Sequence, residues 1–339
     1  MRERSKKQKH ISHADNGRND DHDVSVENQE VNARSLVLGK MIRKPVFVFL
    51  FCHLFSMFQA VASLTSERVA LVTGANKGIG KEISRKLGSE TDNLICILAC
   101  RNEKLGKAAA DELKASGCRV DSVKLDLDDA ASIIQAREYV QTNYGRLDIL
   151  VNNAAVCFND PTLYGKVPHT PFEKQASTTI QTNFFGTLAV TKAFLPMLRE
   201  SPSPRIINIA SYAGRLAILK SRALVDTFTS PDLQLGQLED LMNTFVREVE
   251  AGTHAQKGWP NTCYGMSKVG IIALTKILAR DETKIMVNSV DPGYCSTDQN
   301  NNQGNRSAER GAVTPFLLST QDDKLLSGIH WMDEQPIKW

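Results

Sequence analysis

The sequence is poor in several features that would each mark a protein class. Its seven cysteines, at Cys52, Cys96, Cys100, Cys118, Cys157, Cys263 and Cys295, include no CxxC pair and no Cys/His cluster. That argues against a zinc site, and no metal is expected. An odd, scattered set is not a disulfide framework either, and most of these residues read as small packed hydrophobes. Charge of one sign is scarce. The formal net charge is only +3 over 339 residues and no long single-sign block occurs, so nothing points to nucleic acid. Long apolar runs are also lacking, and the best falls short of the roughly 20 residues that span a bilayer comfortably. What remains is an apolar share of 42% and a charged share of 23%, near the soluble globular norm. The length suits one large unit with appendages or two average domains.

The N-terminal part stands apart in composition. Residues 1–40 are polar, without apolar period, and are expected to be disordered. Met41-Ile42-Arg43-Lys44 then precedes an apolar run from Val46 to Phe58, and Ala60-Val61-Ala62 follows. A basic start, an apolar middle and a small-x-small end make 41–62 read as a signal peptide if translation starts at Met41, or as a signal anchor if it starts at Met1. The expectation is entry into the secretory pathway or membrane association through 45–62, with a cytoplasmic protein as the alternative.

From residue 63 onward the pattern is a regular βα alternation. Arg68-Val69-Ala70-Leu71-Val72 is suited to a buried parallel strand and leads into Thr73-Gly74-Ala75-Asn76-Lys77-Gly78-Ile79-Gly80, after which Ile79, Ile83 and Leu87 fall at helical spacing. Strand, glycine turn and helix in that order form the first unit of a dinucleotide-binding fold, in which the backbone at Gly74, Gly78 and Gly80 approaches a pyrophosphate. Further strands are read at 94–99, 120–125, 147–151, 205–209 and 284–290, with a weak one at 328–332. A long helix is expected from about Phe172 to Leu198 and another from Tyr264 to Ala279. The fold class is α/β, a single doubly wound (Rossmann) parallel sheet with helices on both faces over 63–339. After the second strand stands Arg101, where an NAD-preferring site would carry an acid. With Lys77 it offers two cations to a 2′-phosphate, so NADPH/NADP+ is the expected cofactor.

These motifs, in order, resemble the short-chain dehydrogenase/reductase family, and within it the monomeric carbonyl reductases. The resemblance covers 66–339. It rests on the glycine turn, Asn152-Asn153-Ala154, Asn183-Phe184-Phe185-Gly186-Thr187, Ser211 and Tyr264-Gly265-Met266-Ser267-Lys268. It implies a catalytic tetrad of Asn183, Ser211, Tyr264 and Lys268, acting on a small-molecule carbonyl substrate. Tyr264 would give a proton to the oxygen that receives charge, and Ser211 would polarise that oxygen. Lys268, on the same helical face, would lower the phenol from its usual value near ~10. Asn183 would support a water chain. The resemblance further implies cofactor contacts at Gly74, Asn76, Lys77, Gly78, Ile79, Gly80, Arg101, Asp126, Leu127, Asn153, Tyr264, Lys268, Pro292, Gly293 and Cys295. It implies a substrate pocket at Ser211, Tyr212, Tyr264 and Tyr294, with Asp291 bordering it.

The interval between Ser211 and Tyr264 is longer than in most of the family. The insertion, 218–259, holds an amphipathic stretch at 238–246 and is similar to the segment that keeps carbonyl reductases monomeric. Two other readings stay open at this level. A membrane-bound retinol-dehydrogenase-like reductase would share the N-terminal apolar segment and the Cys-Arg after the second strand. A non-catalytic NADP(H) sensor would share the scaffold, although such proteins typically lose the tyrosine or the lysine.

Overall fold

In a computed structural model, residues 67–158, 170–321 and 326–339 are described below. The disordered extension expected at 1–40 and the signal or anchor segment at 41–62 lie outside the described residues, as does 159–169. Among the described residues, no helix is long and apolar enough to cross a membrane.

Eight strands form one sheet: β1 (Arg68–Thr73), β2 (Leu94–Cys100), β3 (Val120–Lys124), β4 (Ile149–Asn152), β5 (Arg205–Ile209), β6 (Met286–Val290), β7 (His330–Met332) and β8 (Gln335–Ile337). Their spatial order is β3-β2-β1-β4-β5-β6-β7-β8. The first seven pair in parallel and β8 returns antiparallel to β7, an edge strand that the sequence pattern did not announce. Chain order reverses between β1 and β4, and that switch point opens a crevice at the carboxyl ends of the strands.

Successive strand residues serve opposite faces, as the period of a strand requires. Val69 and Leu71 join one apolar cluster and Ala70 and Val72 the other. The first cluster takes in Ile133, Ala136 and Val140 of α3 (Ala130–Tyr144), residues of α4 (Phe172–Ile180) and α5 (Thr187–Glu200), and the apolar face of a long helix, Cys263–Asp281. The second takes in Ile83 and Leu87 of α1 (Gly78–Glu90), Ala109, Ala110 and Leu113 of α2 (Glu103–Ala115), and Leu318 of a helix near the end of the chain, Val313–Thr320. Large side chains such as Phe184, Phe194 and Leu71 are wholly buried. Each such burial contributes roughly 1.5–3 kcal/mol.

Two departures from the expected pattern matter for the site. The helix read as continuous from Phe172 to Leu198 is interrupted by a wider π turn at Gln181–Gly186, which carries Asn183. The insertion holds two helices, α6 (Arg222–Thr229) and α7 (Leu235–Glu250), where one was expected. Leu238, Met242, Phe245 and Val249 of α7 are buried. Trp259 fastens the segment, its ring 6.3 Å from Phe228 and 5.7 Å from Phe245. The long helix that follows, α8 (Cys263–Asp281), lies beneath it: a Cβ on Gly270 would meet the Met242 sulfur at 2.9 Å. The last two helices are the short α9 (Ala308–Gly311) and α10 (Val313–Thr320).

Candidate active site

The cleft begins where β1 turns into α1. Gly74 and Gly78 have φ of +66° and +57°, values that favour glycine over any residue with a Cβ. Gly80 is needed for space: a Cβ there would stand 2.4 Å from Asn153 Nδ2 and 2.7 Å from the Gly74 carbonyl oxygen. Asn153 in turn fastens β4 to β1. Its Nδ2 donates to the Thr73 carbonyl at 2.8 Å, and its backbone N–H and that of Ala154 both donate to Thr73 Oγ1 at 3.0 Å.

Whether a dinucleotide fits can be judged from the helix starts. Asn102 caps α2 and Asp129 caps α3 through side-chain oxygens, whereas α1 has no side-chain cap and no acid in its first turn. Its first N–H groups face the cleft without an internal acceptor, as a pyrophosphate would require. The cleft is lined by Gly74, Asn76, Lys77, Gly78, Ile79, Gly80, Arg101, Asp126, Leu127 and Asn153. Arg101 is exposed and, among the described residues, makes no ion pair, so its charge is free for a phosphate. Lys77 is engaged: its Nζ lies 2.9 Å from Asp298 Oδ2. The residues present therefore fit NADP, with Arg101 as the available cation and Lys77 shared with Asp298.

The loop after β6 is placed differently from expectation. Cys295 does not line this cleft; its thiol is buried, donating to the Pro292 carbonyl at 3.2 Å. Pro292 and Gly293, also expected to contact the cofactor, do not line the cleft either. Thr297, Asp298 and Gln299 line it instead. The signal was present in the Ser296-Thr297-Asp298 run that follows a strand end, but spacing alone did not say which side chains turn inward. Ala154, Ala155, Val156 and Thr182 also line the cleft and were not expected there.

The four tetrad positions come together behind this cleft. Asn183 is locked in place by its own amide: Oδ1 accepts from Val156 N at 2.7 Å, and Nδ2 donates to the Val156 carbonyl at 2.9 Å and to Ser267 Oγ at 3.1 Å. Its side chain thus ties the β4 loop to α8, while the π turn sets the backbone. Ser211 begins a short turn after β5, and its Oγ accepts from Ala213 N at 3.1 Å. Lys268 is buried and its Nζ donates to the Ile209 carbonyl at 2.7 Å, two residues before that serine. The Lys268 nitrogen sits 5.4 Å from the centre of the Tyr264 ring. The Tyr264 hydroxyl has Gln299 and Ser211 as side-chain hydrogen-bond partners.

Burial dominates the electrostatics of the Tyr264–Lys268 pair. Desolvation raises the Tyr264 phenol above its ordinary range; the Cys157 and Asp291 charges add to the rise, and the hydrogen bonds from Gln299 and Ser211 oppose it without reversing it. Burial pushes the Lys268 ammonium to about 8, against the opposing charges of Cys157 and Asp291.

The substrate-side expectations divide. Ser211 and Tyr264 are half-buried at the site, but Tyr212 and Tyr294 are 63% and 46% exposed and do not line the nucleotide cleft. The Tyr212 ring lies under the Arg215 guanidinium at 4.5 Å. Asp291 does not border open space: it is 3% exposed, and its Oδ1 accepts from Gly293 N at 2.9 Å.

A family model described as short chain dehydrogenase matches residues 68–222. Carbonyl reductase (NADPH) 3 of Rattus norvegicus is 40% identical over 261 residues, which cover 74% of this chain and 90% of that one. The chain belongs to the short-chain dehydrogenase/reductase family. Carbonyl reductase (NADPH) 1 of Mus musculus is 39% identical to this short-chain dehydrogenase over 75% of the chain and 91% of its own length. Among solved structures, salutaridine reductase from Papaver somniferum superposes with a TM-score of 0.71 at 29% identity, covering 78% of this chain and 99% of its own. Menthone neomenthol reductase from Mentha piperita gives 0.67 at 29% identity, over 79% and 99%. The fold and the family are those read from the sequence.

Proposed function

We propose that this short-chain dehydrogenase/reductase is an NADPH-dependent carbonyl reductase that converts small ketones, aldehydes or quinones to alcohols. The observation that carries the reading is the meeting of Ser211, Tyr264 and Lys268 behind a glycine cleft lined by Arg101, which makes no ion pair among the described residues. The NADPH-named relatives, near 40% identity over most of their length, support it.

Gly74 to Gly80, the open N-terminus of α1, Arg101 and Asp126 would hold the dinucleotide, which supplies a hydride when bound. The chain's own residues supply the rest. Ser211 Oγ accepts a backbone N–H from Ala213, which orients its own proton toward the substrate oxygen. Tyr264 gives up its phenolic proton to the same oxygen. For a donor, the raised phenol is useful: the group stays protonated across neutral pH. The Gln299 hydrogen bond then favours the phenolate that remains, while the Ser211 proton stays on the substrate oxygen. Lys268, pushed down to about 8, can return a proton toward Tyr264 near neutrality, and the amide of Asn183 holds the adjoining loop still.

The chain is read as a monomer, because α7 lies over α8 and closes that helix face with Met242 and Phe245. Residues 41–62 are read as a signal peptide or membrane anchor; N-terminal sequencing of the mature protein tests this, and an intact Met1 with no membrane fraction refutes it. The activity is tested by following NADPH oxidation against a panel of quinones, aldehydes and ketones that includes menadione and retinaldehyde. Turnover of menadione and simple ketones supports the reading. Strong preference for retinaldehyde would replace it with a retinol-dehydrogenase-like role, and NADPH binding with no turnover would replace it with a sensor.

A further inference from the structure

The distance between the Ser211 and Tyr264 hydroxyls depends on how the short turn Tyr212–Gly214 sits on helix α8. The two surfaces interlock through glycines. A Cβ on Gly214 would meet the Lys268 backbone carbon at 2.8 Å, and a Cβ on Gly265 would meet the Ala213 carbonyl oxygen at 2.8 Å. The turn's own bonds lie away from the helix: Ala213 N donates to Ser211 Oγ at 3.1 Å, Gly214 N to the Ser211 carbonyl at 2.8 Å, Arg215 N to the Tyr212 carbonyl at 3.2 Å, and the Tyr212 N–H to the Asp291 carboxylate. Glycine contacts set how close the turn may come, but they do not pull it in.

Trp339 supplies the pull. After β8 the chain runs back over this region, and the indole Nε1 donates to the Gly214 carbonyl at 2.8 Å. The same ring lies beneath the Lys276 ammonium, 6.0 Å from nitrogen to centroid, and Lys276 is further along α8. The ring also packs on the apolar cluster that contains the inner face of α8. One side chain therefore touches both the serine turn and the tyrosine helix.

We propose that Trp339 is a positioning residue for the reduction, a clasp that holds the Ser211 turn against α8 and so fixes the gap between the Ser211 and Tyr264 hydroxyls. The proposal rests on the catalytic reading of those two residues given above. Trp339 touches neither substrate nor cofactor and acts through Ser211. Its effect belongs in the chemical step, and nucleotide binding on the far side of β1 is untouched.

The test uses the full chain carrying Trp339→Phe, which keeps a ring under Lys276 and removes the indole N–H. The expected result is a fall of kcat by about five-fold, the worth of one hydrogen bond, with the KM for NADPH unchanged. In a Ser211→Ala background the same substitution should cost nothing further, because the residue through which it acts is already gone. Equal losses in both backgrounds, or no loss in the wild-type background, would overturn the proposal. A merely structural role would give the equal losses. Hydrogen exchange read by mass spectrometry tests the clasp without any substrate. Exchange in a peptide covering Tyr212–Gly214 should speed up several-fold in Trp339→Phe, and less in Lys276→Met, which removes only the cation. Unchanged exchange in both variants overturns the proposal even if the protein reduces no carbonyl. Altered exchange in a protein without turnover removes the carbonyl-reductase reading and leaves the clasp standing.

Discussion

Gly80→Ala gives a sharp test of how the nucleotide cleft is built. The added methyl would stand 2.4 Å from Asn153 Nδ2, 2.7 Å from the Gly74 carbonyl oxygen and 3.1 Å from the Ala75 Cα. The Asn153 amide can swing away, but only by giving up its bonds to the Thr73 and Gly74 carbonyls at 2.8 and 3.3 Å, at about 1 kcal/mol each. The other two atoms are backbone of the glycine turn itself and must shift, an overpacking strain of about 1–3 kcal/mol. A total near 3–5 kcal/mol should lower Tm by roughly 6–20 °C in a domain of this size. Because the displaced Asn153 amide moves in the cleft, NADPH affinity should fall as well. The control is Gly145→Ala, at the end of α3, where φ is +69° and nothing lies within 4 Å of the new methyl. That change carries only the left-handed backbone cost, roughly 1–2 kcal/mol. Thermal denaturation with and without NADPH measures both variants. If Gly80→Ala melts no lower than Gly145→Ala, or retains full NADPH affinity, the close approach of β1, α1 and Asn153 is wrong.

Other perturbations separate the parts of the site. Tyr264→Phe should lower turnover by roughly 10²–10⁴-fold while leaving NADPH binding by fluorescence titration nearly unchanged; undiminished turnover would remove Tyr264 as the acid. Arg101→Ser should weaken NADPH by roughly 10- to 100-fold and NADH hardly at all, since only the former carries the phosphate; equal losses would mean that Arg101 does not read it. His330 is buried beside Ser289 Oγ at 2.9 Å, and burial pushes its imidazole down to about 4. Folding therefore favours the neutral ring, so this contribution is whole above pH ~6.5 and drains away as pH falls toward 4, by roughly 3 kcal/mol in all. Melting curves for His330→Gln should show a shallower acid slope than the wild type between those limits, and parallel slopes would refute the assignment.

Much of this was legible in the sequence because the signals are local and repeated. The alternation that sends Val69 and Leu71 to one face and Ala70 and Val72 to the other follows from strand geometry alone. The residues that end those strands, Asn153 and Ser211 among them, fall on the crevice edge without further information. What stayed hidden depends on a choice between near-equal local conformations. Helical spacing over 172–198 does not distinguish an α turn from the π turn at Gln181–Gly186, because one wider turn barely disturbs the apolar stripe. Beyond Pro292-Gly293, the side chain of Cys295 could turn toward the cleft or toward the packed interior. Its burial against the Pro292 carbonyl and Gly311 follows from tertiary contacts, and Thr297, Asp298 and Gln299 take the inward positions. Strand β8 is three residues long and carries no apolar pattern.

The protonation chemistry was hidden for a different reason: it depends on the balance between a field and a solvation loss. From sequence, a lysine one turn from a tyrosine reads as a charge that acidifies the phenol. In the folded protein burial raises the phenol and lowers the ammonium. On the proposed reading, a phenol held neutral by burial, with Gln299 placed to bind its anion, would give its proton as charge develops on the substrate oxygen. Lys268, with its nitrogen on the Ile209 carbonyl and a value near 8, stands as the neighbour from which that proton can be restored. On that reading, the burial that offsets the simple electrostatic argument would also keep the acid loaded.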